Sequence, residues 1–106
     1  MAVYLDNSAT TAVLPQAAEA AFRAMREGYG NPSSLHEMGR SAKKMLEGAR
    51  AALALAFGCE EGCVYFTSGG SEADNQAIMT AAALGMRRGK KHIVSTAFEH
   101  HAVLHT

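Results

Sequence analysis

The stretch from Cys63 to Ser95 constrains the fold more tightly than any other part of the chain. Cys63-Val64-Tyr65-Phe66-Thr67 is a short apolar run with the pattern of a buried strand. Ser68-Gly69-Gly70 reads as a tight turn, and Ser71 is expected to cap the helix that follows. Glu72 and Asp74 fall in the expected first turn, where a carboxylate favours the helix dipole. Ile78, Ala81, Ala82 and Met86 carry the helix on, Arg87 and Arg88 occupy its last turn, and Gly89 stops it. His92-Ile93-Val94-Ser95 then reads as a second strand. Strand, helix and strand in this order make a βαβ unit, so the expected class is α/β with parallel strands.

Two further helices precede this unit. Val3-Tyr4-Leu5 is short, apolar and extended, and Asp6-Asn7-Ser8 breaks it. Pro15 suits the first turn of a helix, where its missing N–H would have no partner in any case. Ala17, Ala20, Ala21, Ala24 and Met25 follow at helical spacing, and Gly28 and Gly30 end that helix. Asn31-Pro32-Ser33-Ser34 is a turn cluster, and Ser34 stands three residues before Glu37, the spacing of a capping box. Met38, Ala42, Met45, Ala49, Leu53 and Ala56 form one apolar stripe on a long helix running over about 35–57. Gly58 is placed to end it.

The totals narrow the function classes. Ten basic and ten acidic residues among 106 give a formal charge of zero, which removes the electrostatic case for nucleic acid or an anionic membrane as partner. The opening residues lack the basic and apolar regions of a signal peptide, and no run approaches a membrane span of about 20 apolar residues. A cytoplasmic location is expected. Cys59 and Cys63 are too few for a disulfide framework, and their spacing is a weak metal signal with no second pair to complete a site.

Two segments carry potential chemistry. At Thr67-Ser68-Gly69-Gly70-Ser71-Glu72, free N–H groups at a helix start and glycines that permit close approach make an anion site suited to phosphate. The plainer alternative is that Ser71 only caps its helix. The segment is neither a Walker loop nor a G-x-G-x-x-G dinucleotide turn. Glu99-His100-His101 follows the second expected strand, and ligands in open α/β sheets gather at the carboxyl ends of strands. A histidine there can stack on a planar ring or move a proton near neutral pH, although a single loop histidine is more often a surface residue. His100, His101 and His105 lack an obvious carboxylate or thiol companion, so no metal site is expected.

Four blocks together resemble a known family. They are Tyr4-Leu5-Asp6-Asn7-Ser8-Ala9-Thr10-Thr11; Gly30-Asn31-Pro32-Ser33-Ser34 with His36 and Gly39-Arg40; Phe66 through Asn75; and Glu99-His100-His101-Ala102-Val103-Leu104. In this order and spacing they resemble the start of cysteine desulfurases, in the class V aminotransferase superfamily. The resemblance implies the N-terminal part of a pyridoxal-phosphate (PLP)-dependent transferase of fold type I, with a parallel-sheet large domain incomplete in this chain. Residues 1–14 would be an extended segment contributing to the active site, and 15–106 the start of the large domain. The implied reaction takes sulfur from L-cysteine, leaving alanine and an enzyme persulfide for iron–sulfur cluster assembly. A homodimer partner and a sulfur-acceptor or scaffold protein are implied as well. A selenocysteine lyase, an aminotransferase, or a non-catalytic phosphate-binding module of the same descent are the alternatives.

By position, Gly70 and Ser71 would hold the cofactor phosphate; the family more often has threonine where Ser71 stands, and serine keeps the hydroxyl. His100 would stack on the pyridine ring and assist proton transfer, and Asn7, Ala9 and Thr10 would line the entrance. The family's cofactor-binding lysine, the carboxylate facing the pyridine nitrogen, the substrate-binding arginine and the sulfur-accepting cysteine are all expected beyond residue 106. The chain alone is therefore expected to be inactive. A right-handed crossover would set segments 64–66 and 93–95 side by side, whereas the resemblance implies that later strands separate them.

Overall fold

The computed structural model describes residues 2–106. The chain divides into two compact units, Met1–Val64 and Tyr65–Thr106.

The first unit holds two helices. Helix α1, Pro15–Glu27, starts at the expected proline and ends where the Gly28 N–H bonds the Ala24 carbonyl at 2.9 Å. Helix α2, Glu37–Phe57, ends at Gly58, whose φ of 65° puts it in the left-handed region that glycine enters without steric cost. Its start departs from the sequence reading. His36, not Ser34, is the N-cap, and its Nδ1 accepts from the Gly39 N–H at 3.3 Å. The reason lies in the loop before it. The Asn31 side chain accepts from the Ser33 N–H at 2.9 Å, and the Asn31 carbonyl accepts from the Ser34 N–H at 2.9 Å. This turn carries the chain past Ser34 before the helix begins. It also packs tightly against α2: a Cβ on Gly39 would strike the Ser34 carbonyl, and one on Gly30 would strike that of Met38.

After α2 the expected strand at Cys63–Thr67 is not formed. Glu61–Cys63 is a single 3₁₀ turn, and Val64 leaves it extended, at φ −100° and ψ 117°. Arg50 on α2 donates to the Val64 carbonyl and fastens this segment to the helix. Cys59 and Cys63 are free and exposed.

The second unit is built on α3, Gly70–Arg87, which stops at Gly89 with φ 73°, and on the short α4, His101–Leu104. Segment 92–95 between them is not a strand either. Both segments carry strand-forming residues, but no ladder joins 64–66 to 93–95, and no strand is present among the described residues. A strand exists only where a second one pairs with its backbone, and among the described residues neither segment lies in a ladder with another.

Burial is sparse. Among the described residues Ala42 and Ala54, at 5% and 3% exposure, are the only buried apolar side chains. Both lie on α2, Ala42 on its apolar stripe and Ala54 beside it, while Met38, Met45 and Leu53 of that stripe remain exposed.

Candidate cofactor-binding site

The start of α3 differs from its sequence reading by two residues. Gly69, not Ser71, is the N-cap, and Gly70 is already helical. Ser71 therefore sits inside the first turn, and its hydroxyl is not needed as a cap. Among the described residues that hydroxyl has no hydrogen-bond partner. The first helical N–H to meet a carbonyl in the chain is that of Ala73, which bonds Gly69 O at 3.2 Å. The amides of Gly70, Ser71 and Glu72 precede it, and an α-helix offers no carbonyl to its first turn of N–H groups.

The turn before the helix is held from behind. Glu72 reaches back, and its Oε2 accepts from the Ser68 N–H at 2.7 Å and the Ser68 hydroxyl at 2.6 Å. These bonds, the hydroxyl's first and the amide's second, hold the Glu72 carboxyl below its ordinary value of 4.5. The Thr67 hydroxyl donates to the Gly69 carbonyl at 3.1 Å. Asp74 stands beyond the first turn, so Glu72 is the acidic residue there.

Neither turn glycine is required by the chain's own packing. Gly69 and Gly70 both lie outside the positive-φ region, and a Cβ built on either would meet nothing within 4 Å. What lies over them is open space. A phosphate needs a cradle of this kind: unpaired amides at the positive end of an 18-residue helix, a free hydroxyl, and no side chain in the way. The residues present therefore fit the phosphate of PLP.

His100 is not in a featureless loop. It is the N-cap of α4, and its Nδ1 accepts from the Ala102 N–H at 3.1 Å. A neutral ring accepting at Nδ1 carries its proton on Nε2. The ring is thus oriented at one nitrogen, with Nε2 left for a ligand. Next to it, His101 and His105 stack at 5.3 Å with their rings 3° from parallel, and a ring nitrogen of each meets the other at 3.3 Å. No group of three metal-ligating side chains occurs among the described residues.

Two segments of the second unit meet through Asn75. From the second turn of α3 it donates to the Ser71 carbonyl at 2.9 Å and to the Ala102 carbonyl at 3.3 Å. Gly70, Ser71 and His100 therefore share one connected patch. The sequence reading placed Asn75 in a motif but gave it no task; an asparagine in a helix interior, where it is a weak helix former, was the available signal.

Asn7, Ala9 and Thr10 belong to the first unit. Residues 6–10 form a turn inside the segment read as extended: the N–H groups of Ala9 and Thr10 both reach Asp6 O, at 3.2 and 3.3 Å. Thr11 donates to the Asn7 side-chain oxygen at 2.9 Å, and the Tyr4 and Thr10 hydroxyls share a hydrogen bond at 2.6 Å.

The sequence model of the family aminotransferase class-V matches residues 3–106. The chain belongs to this family. It is 50% identical over 105 residues to the cysteine desulfurase IscS of Methanosarcina thermophila, covering 99% of this chain and 26% of that protein. It is 44% identical over 104 residues to the putative cysteine desulfurase IscS 1 of Bacillus subtilis, covering 98% of this chain and 27% of that one. Among solved structures it superposes on a NifS-like protein with a TM-score of 0.87 and 40% identity, over 99% of this chain and 29% of the other. The expected fold class is thereby met, although the sheet itself is not formed within these residues. The chain spans about a quarter of the length of the curated relatives it matches.

Proposed function

We propose that this chain is the N-terminal portion of a PLP-dependent cysteine desulfurase. The whole enzyme takes sulfur from L-cysteine, yields alanine and an enzyme-bound persulfide, and passes the sulfur to an acceptor or iron–sulfur scaffold protein. It works as a cytoplasmic homodimer. The observation that carries the reading is the patch in the second unit: unpaired amides and the unengaged Ser71 hydroxyl at the start of α3, tied to the segment that orients His100. The relatives' identity across nearly the whole chain supports it.

When bound, the cofactor supplies an electron sink for breaking bonds at the substrate's α-carbon and side chain. This chain's residues position it. Gly70 and Ser71 give amides to the phosphate, and the Ser71 hydroxyl adds a charge-assisted hydrogen bond. The α3 dipole adds attraction for the same dianion. His100, held at Nδ1 by Ala102, presents its ring to the pyridine and its Nε2 to a proton in transit. Asn7, Ala9 and Thr10, in the 1–14 segment, line the way in. The large domain begins at about residue 15.

The test is release of alanine and sulfide from L-cysteine by the full-length protein with PLP present. Stoichiometric alanine with protein-bound sulfur is the expected result. A full-length protein that binds PLP and leaves L-cysteine intact, or turns over only selenocysteine or an amino-group donor, would replace this reading with one of its relatives.

A further inference from the structure

Asn75 joins the two halves of the proposed site. Its side-chain amide carries two hydrogens. One meets the Ser71 carbonyl at 2.9 Å and the other the Ala102 carbonyl at 3.3 Å. Ala102 in turn gives its N–H to His100 Nδ1 at 3.1 Å. The same residue thus receives Asn75 on its carbonyl and holds the His100 ring with its amide. We propose that Asn75 is a positioning residue, setting where the His100 ring stands relative to the first turn of α3. This rests on the reading of Gly70, Ser71 and His100 as contacts of PLP.

The chemistry of the position supports the assignment. Asparagine is unfavourable inside a helix because its side chain competes for backbone groups. Here it uses that tendency productively, reaching one carbonyl of its own helix and one 27 residues on. The second bond ties α3 to α4, whose own four residues are too short to hold a fixed place unaided. The Ala102 carbonyl is also taken by the Thr106 hydroxyl at 2.7 Å, so both its lone pairs are used. Aspartate has the same shape as asparagine but, ionised, only acceptors, which would face two carbonyl oxygens.

A double-mutant cycle in the full-length enzyme tests this. Asn75→Asp and His100→Ala are made singly and together. Each protein is titrated with PLP, and the absorbance of the bound cofactor and the rate with L-cysteine are recorded. With His100 present, Asn75→Asp should weaken PLP binding by about tenfold, the loss of a hydrogen bond converted to affinity, and shift the absorbance. With His100→Ala already in place, the same change should weaken binding by less than about twofold and leave the absorbance where His100→Ala put it, because coupled residues are not additive. Equal losses in both backgrounds overturn the proposal. Asn75→Ala, which puts no charge near the carbonyls, runs the same cycle if the aspartate variant does not fold, and is judged the same way. If His100→Ala by itself changes neither affinity nor absorbance, the assignment of His100 fails and this inference with it. If His100→Ala acts and the Asn75 changes merely add to it, only this inference fails.

Discussion

Residues 1–106 prepared alone should not behave as a cooperative domain. A compact monomer of 11.2 kDa exposes about 5,700 Å² of surface. This chain exposes 9379 Å². The excess, about 3,700 Å², is more than twice the total surface buried in a standard protein–protein interface. The unfolded chain exposes about 16,000 Å², so folding to this structure buries roughly two-thirds of what a compact domain of the same mass would bury. Denaturant sensitivity follows the surface exposed on unfolding, so the slope of a urea transition should be no more than about two-thirds of that of a compact 106-residue protein. The α2 stripe, with Met38, Met45 and Leu53 exposed, and the strand-prone segments near 64–66 and 93–95, which form no ladder, should drive self-association. The assay is urea unfolding followed by far-ultraviolet circular dichroism at several protein concentrations, with sedimentation velocity. A shallow transition that moves with concentration is expected. A steep, reversible, concentration-independent transition with a full-sized slope would refute the reasoning.

The same isolated chain should release no alanine from L-cysteine beyond what free PLP catalyses; turnover above that level would contradict the expectation that the reacting lysine and cysteine lie outside it. In the full-length enzyme, Ser71→Ala should weaken PLP binding by about 1–3 kcal/mol, the worth of one hydrogen bond to a charged group; an unchanged affinity by equilibrium titration would leave the hydroxyl without a role. His100→Ala should slow turnover and alter the absorbance of the bound cofactor, and wild-type spectra and rates would remove the residue from the site. Because the Ser68 bonds lower the Glu72 pKa, their contribution is fully present above the ordinary value of 4.5 and is lost as pH falls through the lower folded value. A carboxyl-carbon NMR titration of Glu72 should therefore have its midpoint below 4.5, and a midpoint at or above it would show that the Ser68 clasp does not form in solution.

Local chemistry made much of this chain legible from its sequence. Pro15 starts α1, and Gly58 and Gly89 end α2 and α3 at positive φ. Each of these depends on a residue's own backbone freedom or hydrogen-bonding groups, which travel with the sequence. The family, too, was legible, because four short blocks keep their order and spacing over nearly the whole length. What the sequence did not decide was anything that needs a partner distant along the chain. Cys63–Thr67 and His92–Ser95 have strand composition, yet neither becomes a strand, since a ladder requires a second strand and the described residues form none. Ser34 and Ser71 have capping chemistry, yet His36 and Gly69 hold the cap positions. At the first, the Asn31 turn carries the chain past Ser34; at the second, the helix opens at Gly70 with its cap two residues before Ser71. Only the tertiary structure brought Ser71 and His100 onto one patch. The bond that does so runs from Asn75 to a carbonyl 27 residues away, a separation over which no local preference acts.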